Sequence, residues 1–568
     1  MQHRQNIFAA CAVSLAILTT GGFAQAQSVP GSADAGRQEQ RIQDELPPVG
    51  GAAVLDVPDY MITSAPPGAE NQMLVLQGIT LDGVTAYSQD ELSPLYEDLI
   101  GQEISLAEVF GIAERLTVKY RNDGYILSQV IVPPQEIDNG RVRLEVIEGY
   151  IDGLTIEGDL SDSEYSRIEN MAVKIVESPP LNIQELERYL LLMNDLSGMT
   201  IRSVLSPSET QPGAADITLF VEKDSAEFLT QLDNRGSRYL GQVQLSAAAR
   251  FNSLFGRGEA LDMQVVTAPD GHPSRELDYI GLNYTETINS EGTRLNIGAN
   301  YTETEPGYTL SDFDVEGRAK GFHIGLTHPV IRSRSQNLFI FGRFDALNVT
   351  RSDNFTVGKT EDRIRAVRLG GTYQFTDRLI GINTIEMTLS QGLDILNARE
   401  SDSDNLTRAR GRHDFTKFEA EVSRLQHVSN KVNLLGAVKG QKTNHILLSS
   451  EEFGVGGSDY GRAYDNSEIV GEDGIAAKLE LQINDPVKAP YIDGYQLYGY
   501  YDIGKVWDRD NPTVRDQERS LASVGAGVRF DFTETISGSA ELALPMTRDV
   551  QTQGDQDPRG FFSLTAAF

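Results

Sequence analysis

From about Phe228 to Phe568 the chain alternates apolar and polar residues, segment after segment. Val243, Leu245, Ala247, Ala249 and Phe251 interleave with Gln242, Gln244, Ser246 and Arg250. Leu295, Ile297, Ala299 and Tyr301 interleave with Arg294, Asn296, Gly298 and Asn300. Ala477, Leu479, Leu481 and Ile483 oppose Lys478, Glu480 and Gln482, and Val524 to Phe532 and Phe562 to Phe568 repeat the pattern. A period of two is the period of a strand whose faces meet different surroundings. One apolar and one polar face on strand after strand predicts a membrane barrel with lipid outside and water within. The spacing leaves room for roughly sixteen strands of about 9–11 residues. A secreted β-sandwich or β-helix is the alternative, but it gives no reason for charges to recur on one face of nearly every strand.

No later segment has the run of about 18 apolar residues that a membrane helix needs, so a closed barrel is the only way for this chain to span a bilayer. Its mean hydropathy of −0.30 suits a polar lumen and loops. A formal net charge of −33 argues against nucleic acid as a partner, since phosphates are bound by clustered Lys and Arg. Acidic stretches such as Glu400 to Asp404 read as solvated loops. At the N-terminus, His3 and Arg4 precede an apolar stretch from Ile7 to Leu18 and the small-residue pattern Ala24-Gln25-Ala26. This predicts a secretory signal over residues 1–26, cleaved before Gln27. The only cysteine, Cys11, falls inside it, so the mature chain is expected to have no disulfide or thiolate metal site. A lipoprotein reading of Phe8-Ala9-Ala10-Cys11 lacks the apolar core that should come first.

Residues 27–72 are rich in Gly, Pro, Ala and Ser and read as a linker. Within it, Ser32 to Leu46 fits a polar helix without an apolar face and with no reason to join a core, so it is either disordered or sits somewhere wet. Two small α/β modules follow, 73–149 and 150–224, repeating at a period of about 75 residues. The first reads as a strand (Met73 to Leu81), a short helix near Gln89 to Leu99 and a helix opened by a Ser105/Glu108 capping box. That helix carries Leu106, Val109, Phe110, Ala113, Leu116 and Tyr120 on one face and ends at Gly124. Strands Ile126 to Val132 and Arg141 to Glu148 flank a turn at Asp138-Asn139-Gly140. The second repeats the order: strand Ile151 to Glu157, helix Glu164 to Val176, and a helix begun by Asn182 and Glu185. The latter buries Ile183, Leu186, Leu190 and Met193, and strands Ile201 to Leu205 and Asp216 to Lys223 complete the module. Small open sheets expose edges, and an edge accepts an extended peptide as an added strand; the alternative is that the modules are spacers.

Several motifs resemble those of two-partner secretion transporters, the hemolysin secretion/activation branch of the Omp85 superfamily. Gly124-Tyr125, Pro133-Pro134-Gln135 and Val146-Ile147-Glu148-Gly149 resemble that family's first POTRA domain, and Leu232-Asp233-Asn234-Arg235-Gly236-Ser237 its opening barrel strand. Gly456-Gly457, Tyr460-Gly461-Arg462-Ala463-Tyr464 and Gly471-Glu472-Asp473-Gly474 resemble its sixth-loop motif. There, Ala463 stands where a glycine usually follows the arginine, and Glu472 intervenes before Asp473. Tyr501-Asp502-Ile503-Gly504-Lys505-Val506-Trp507 resembles the barrel-wall motif whose aspartate partners the loop arginine. The resemblance implies a sixteen-stranded outer-membrane barrel over 225–568, two periplasmic POTRA domains and a sixth loop folded into the lumen. It also implies a helix plugging the pore, a part that Ser32 to Leu46 would supply.

The candidate site is therefore Arg462 on the loop and Asp502 on the wall, joined through paired charge-assisted hydrogen bonds. Tyr460, Gly461 and Tyr464 would shape the loop tip, with Gly504 beside the aspartate. Such a clip would specify loop position more than it adds stability. No catalytic motif, phosphate-cradling loop or metal-ligand spacing is present in the sequence, and no cofactor is expected. His323, His328, His413 and His427 read as lumen or interface residues, the first two on opposite sides of one strand. The expected function is export of one unfolded exoprotein, bound at the POTRA edges, through a barrel set in outer-membrane lipid. The rivals are a barrel-assembly factor of the same superfamily, which commonly carries more POTRA domains, and a passive porin, which has no use for the arm.

Overall fold

The protein is described by a computed structural model covering residues 29–44, 54–56, 65–208, 210–211, 213–269, 276–354, 359–398, 403, 405–408, 410–485, 492–509 and 518–568. The expected signal segment, the end of the linker helix at Leu46 and most of the acidic stretch from Glu400 to Asp404 lie outside the described residues.

Sixteen antiparallel strands close into a barrel, each paired with its sequence neighbours and the last with the first. They are β1 (Ala226–Asp233), β2 (Gln244–Asn252), β3 (Ala260–Thr267), β4 (Leu277–Thr287) and β5 (Arg294–Thr304). Three long strands follow, β6 (Glu316–Arg332), β7 (Gln336–Ser352) and β8 (Thr360–Thr376), then β9 (Gly381–Gly392), β10 (Thr416–Ser429) and β11 (Val432–Thr443). The set ends with β12 (Asp473–Asp485), β13 (Gly494–Trp507), β14 (Glu518–Asp531), β15 (Ile536–Pro545) and β16 (Arg559–Ala567). The alternation sorts as a barrel demands. Leu479, Leu481 and Ile483 of β12 and Leu497, Tyr501 and Ile503 of β13 are exposed on the outer wall, whereas Glu480, Tyr498, Tyr500 and Asp502 are buried within. Closure requires β1 to meet β16, from Leu229 opposite Ala567 to Asp233 opposite Ser563. Beyond that ladder the Asn234 side chain continues the pairing, accepting from Phe562 N (2.7 Å) and donating to Gly560 O (3.0 Å).

The arm before β1 is built of two modules, each with its own apolar core. The first folds from two short strands, Met73–Val75 and Gly78–Asp82, where the sequence suggested one. The expected helix near Gln89 is a single turn, Gln89–Leu92, followed by 3-10 turns. The long helix Leu106–Asn122 is capped by Ser105, whose Oγ accepts from Glu108 N at 3.2 Å. Ile112, not Phe110, completes its buried face, which includes Val109, Ala113, Leu116 and Tyr120. Gly124 ends it at φ +97°, and Asn139 and Gly140 turn the hairpin with positive φ. Glu148 ties the module together, accepting from Thr85 N and Ala86 N (both 2.9 Å) and from Tyr120 OH (2.7 Å).

The second module has helices Asp162–Val176 and Ile183–Asn194 over a sheet of Tyr150–Glu157, Met199–Pro207 and Ala214–Lys223. Val54–Asp56 from the linker adds a fourth strand, parallel to Arg202–Val204, at the edge of this sheet. The modules meet through backbone bonds from Ile183 N to Gly124 O and from Leu181 N to Gly149 O, both 2.8 Å. The second module docks on the near-side turns of the barrel with polar contacts. Arg332 grips Asp195 in a two-toothed pair (2.7 and 2.9 Å), Arg167 pairs with Glu286 (3.0 Å), and Tyr189 OH donates to Glu291 (3.1 Å).

Inside the barrel lies a helix, α1 (Ala35–Asp44), preceded by a 3-10 turn at Gly31–Ala33. This corrects the expectation that the segment has no apolar side and joins no core. Ala33 and Ile42 pack with Tyr239, Leu277 and Tyr279, and Ala35 packs with Ala319 and Val349. Arg37, Gln38 and Glu39 are buried too, with Asn300 donating to Glu39 (2.9 Å), and half-buried Arg41 donates to Gln244 (3.0 Å).

Candidate functional site

Between β11 and β12 the chain makes its longest described excursion, which folds back into the barrel. Phe453–Val455 pairs antiparallel with Ile469–Gly471, so the loop enters as a short hairpin. Gly456 and Gly457, at φ +120° and +100°, open its tip, where Gly456 N donates to Tyr460 O (2.8 Å) and Tyr464 N to Gly461 O (2.9 Å). Gly461 itself has φ +90°, and a Cβ there would lie 2.6 Å from Leu521 Cδ1, so a side chain is excluded. Gly504 has a comparable reason to be glycine: its Cβ would lie 2.5 Å from Val455 of the hairpin.

The tip delivers Arg462 to Asp502 on β13. Arg462 Nε donates to Asp502 Oδ2 (3.0 Å) and Nη2 to Oδ1 (2.9 Å). The Gly461 and Arg462 amides reach the same carboxylate at 3.2 and 3.0 Å, and Ser523 Oγ adds a bond of 3.3 Å. Asp502 is fully buried, with four donors on Oδ2 and one on Oδ1. The guanidinium has a second acid, Glu480 on β12, bound through Nη1, and its Cζ stands 3.4 Å from the Tyr500 ring centroid. Tyr500 and Tyr498 both donate to Glu541 (2.8 and 2.7 Å), and Arg235 closes the set on Glu541 (3.0 Å).

The neighbouring loop residues hold the tip to other parts of the wall. Tyr460 OH donates to Glu421 on β10 (2.9 Å), and Tyr464 OH donates to Arg548 O (3.2 Å). Ala463 is fully buried with φ outside the left-handed region, so its backbone needs no glycine; its carbonyl accepts from Arg559 (3.0 Å). The structure thus brings together Tyr460, Gly461, Arg462, Tyr464, Asp502 and Gly504. The sequence reading missed Glu480, Tyr498, Tyr500 and Glu541. Counting back by twos from Asp502 reaches both tyrosines. Glu480 sits opposite Tyr500 only because of the β12–β13 register, which no local signal carries. Among the described residues no cluster of His, Cys, Asp and Glu has the geometry to hold a metal.

A closed barrel with an ion-paired loop and a helix inside, and two α/β modules docked on one rim, defines an outer-membrane transporter with a periplasmic arm. The family pattern described as haemolysin secretion/activation protein ShlB/FhaC/HecB matches residues 214–530, and a POTRA domain of ShlB type matches residues 74–149. The chain belongs to this family of two-partner secretion transporters. It is 24% identical over 574 residues to the heme/hemopexin transporter protein HuxB of Haemophilus influenzae (strain 86-028NP), with 97% of each chain covered. It is 23% identical to the outer membrane transporter CdiB of Dickeya dadantii (strain 3937), covering 77% of this chain and 80% of that one. Its fold matches CdiB from Escherichia coli with a TM-score of 0.75 at 18% identity, covering 96% of this chain and all of the other. The barrel accordingly lies in the outer membrane with the modules in the periplasm, so the loop over 444–472, loop 6, enters the barrel from outside the cell.

Proposed function

We propose that this chain exports one large partner protein, captured unfolded in the periplasm and threaded through the barrel. The observation that supports the reading is that the lumen is filled by two segments that are not part of the wall, α1 and loop 6. They are held to a complete wall by hydrogen bonds and ion pairs, which water and a passing chain can replace, and by small apolar clusters such as Phe453, Val455 and Ile469 on Val506 and Leu521. A passive porin needs no such filling. Capture is assigned to the module edges: Val54–Asp56 already lies as a parallel strand beside Arg202–Val204, so this edge has the geometry for strand addition. The passenger would take that place, and folding outside the cell would make its return unfavourable without any soluble energy source.

Arg462 and Asp502 are assigned the role of fixing loop 6 in its resting position. A buried pair of this kind adds little net stability, because desolvation offsets attraction, yet it specifies one geometry. The test is a comparison of secreted and outer-membrane proteomes with and without this gene. Loss of one large extracellular protein with other barrels unchanged is the expected result. A general fall in many barrels would replace this reading with barrel assembly.

A further inference from the structure

Loop 6 is gripped at a second place, nearer the extracellular mouth, by residues outside the motifs above. Arg408 lies on the loop before β10. It donates to Leu447 O (2.9 Å) and to the carboxylate of Glu472, and pairs with Glu452 (3.1 Å) and with Asp508 beyond β13 (3.1 Å). Glu472, the residue that interrupts the expected Gly-Asp turn, is fully buried, and its other oxygen accepts from Arg509 N (2.8 Å). A guanidinium offers five N–H groups in a rigid fork, so one Arg408 ties both arms of loop 6 to two neighbouring loops.

The descending arm is held from the opposite side by α1. Arg37 donates to Ser449 O (2.9 Å), Glu452 O (3.0 Å) and Ser467 Oγ (3.1 Å), and Ser449 Oγ donates to Asp34 (2.9 Å). Gly454 leaves the space this needs, since a Cβ there would stand 2.2 Å from Arg37 Nη2. Glu452 therefore meets Arg408 with its side chain and Arg37 with its carbonyl. Withdrawal of α1 removes the bonds on the backbone that presents Glu452; loss of Arg408 loosens the turn that α1 grips, leaving it to Arg368 and Lys417 on Glu451.

We propose that Arg408 is a positioning residue that fixes the outer end of loop 6, and that Ser449–Glu452 joins this anchor to α1 as one release unit, separate from the inner clip at Arg462. The proposal rests on the export reading for its purpose, but its test reads only the channel of the purified full chain in planar lipid bilayers. Arg37→Ala and Arg408→Ala are each expected to raise the ratio of open to closed time about tenfold, the effect of losing a charge-assisted hydrogen-bond set. Groups sharing a partner are non-additive, so the double variant should stay near about tenfold, whereas Arg408→Ala with Arg462→Ala should reach about a hundredfold. Glu472→Gln should give a smaller rise, absorbed in Arg408→Ala. An unchanged ratio in Arg408→Ala would overturn the anchor; multiplication with Arg37→Ala would overturn the coupling.

A second readout needs no gating measurement. The only cysteine, Cys11, lies in the expected signal segment. A Cβ on Gly36 would stand 3.1 Å from Ser450 Cβ and 2.9 Å from Val349 Cγ2, so a small outward shift of the helix brings the pair to the roughly 3.5–4.5 Å of a disulfide. The pair Gly36→Cys and Ser450→Cys should oxidise readily, and Arg408→Ala should slow this several-fold; an unaltered rate would contradict the coupling. If Arg408→Ala fails to assemble, Arg408→Lys keeps the charge but loses the fork, and an intermediate rise is expected while a wild-type ratio refutes the anchor. The predicted gating together with an unchanged set of secreted proteins on deletion of the gene would count against the export reading alone.

Discussion

At the centre of the second module stand Ile168, Met171, Ile175, Leu186, Leu190 and Met193; inside the barrel stand Arg462, Asp502, Glu480, Glu451 and Glu472. Both sets are buried, but the forces holding them differ. Apolar burial in the arm is strong, undirected and lost only by unfolding. Ion pairs in the lumen are directional: they specify one geometry while desolvation offsets much of their net stabilisation. Arg368, for example, holds Glu451 at 2.7 Å with Lys417 at 2.9 Å on the same carboxylate, which fixes where the loop sits without committing it to stay. The arm is held by apolar cores, whereas charged pairs set the position of the barrel's contents. The distinction also separates wall from filling within the barrel, since lipid-facing Leu and Ile on β12 and β13 back onto the charged lumen.

The comparison breaks first at the apolar side. Leu116→Ala, at a fully buried position, should cost the first module about 2–5 kcal/mol. Limited proteolysis of the full chain should then cut the arm, while emission from Trp507, the only tryptophan and a barrel residue, stays unchanged. Loss of the Trp507 signal as well would mean that arm and barrel are not separate. A smaller effect is expected at the polar staple of the same module. Burial raises the Glu148 carboxyl, but hydrogen bonds from Thr85, Ala86 and Tyr120 outweigh it and hold the pKa below the usual value. Because the folded pKa is depressed, this stabilisation is complete above about pH 4.3, the unfolded value, and falls away as the pH drops through the folded one. Glu148→Gln should remove about 1–2 kcal/mol at neutral pH and flatten that acid limb, checked by urea titration between pH 3 and 7.

Asp195→Asn, at the docking pair with Arg332, should weaken the seat of the second module by about 1 kcal/mol and make it less salt-sensitive, measured by hydrogen exchange across the Arg332–Gln336 turn. The smallest effect belongs to the half-exposed Lys119–Asp123 pair, where Lys119→Ala should change stability by less than about 0.5 kcal/mol. A larger loss there would mean that surface charge matters to the arm as it does to the lumen.

How legible each part was follows the same physics. The barrel strands announced themselves because lipid and water impose a period of two on every one. Asn182, Ser105 and Gly124 marked helix ends correctly because capping is local chemistry. The Ser88–Glu91 and Ser161–Glu164 capping boxes are equally local and were overlooked. What local reading could not reach depends on residues far apart in sequence. The single strand expected from Met73 to Leu81 splits because Met73–Val75 pairs with Glu103–Ser105 and Gly78–Asp82 with Arg141–Glu145. Residues 35–44 look too polar for an interior because an ordinary interior is dry; this one supplies Asn300, Gln244 and the loop-6 backbone as partners. Arg462 and Asp502 were visible as motif positions, but Glu480, Arg408 and Arg37 are defined by barrel register and by loops that meet only when the barrel closes.

The central claim is that a charged clip on loop 6 governs passage through an otherwise complete barrel. Its most direct test is secretion by Arg462→Ala, with barrel assembly followed by heat-dependent mobility on gels. The account predicts an assembled, membrane-inserted barrel that no longer exports its partner protein, whereas normal export by that variant would contradict it.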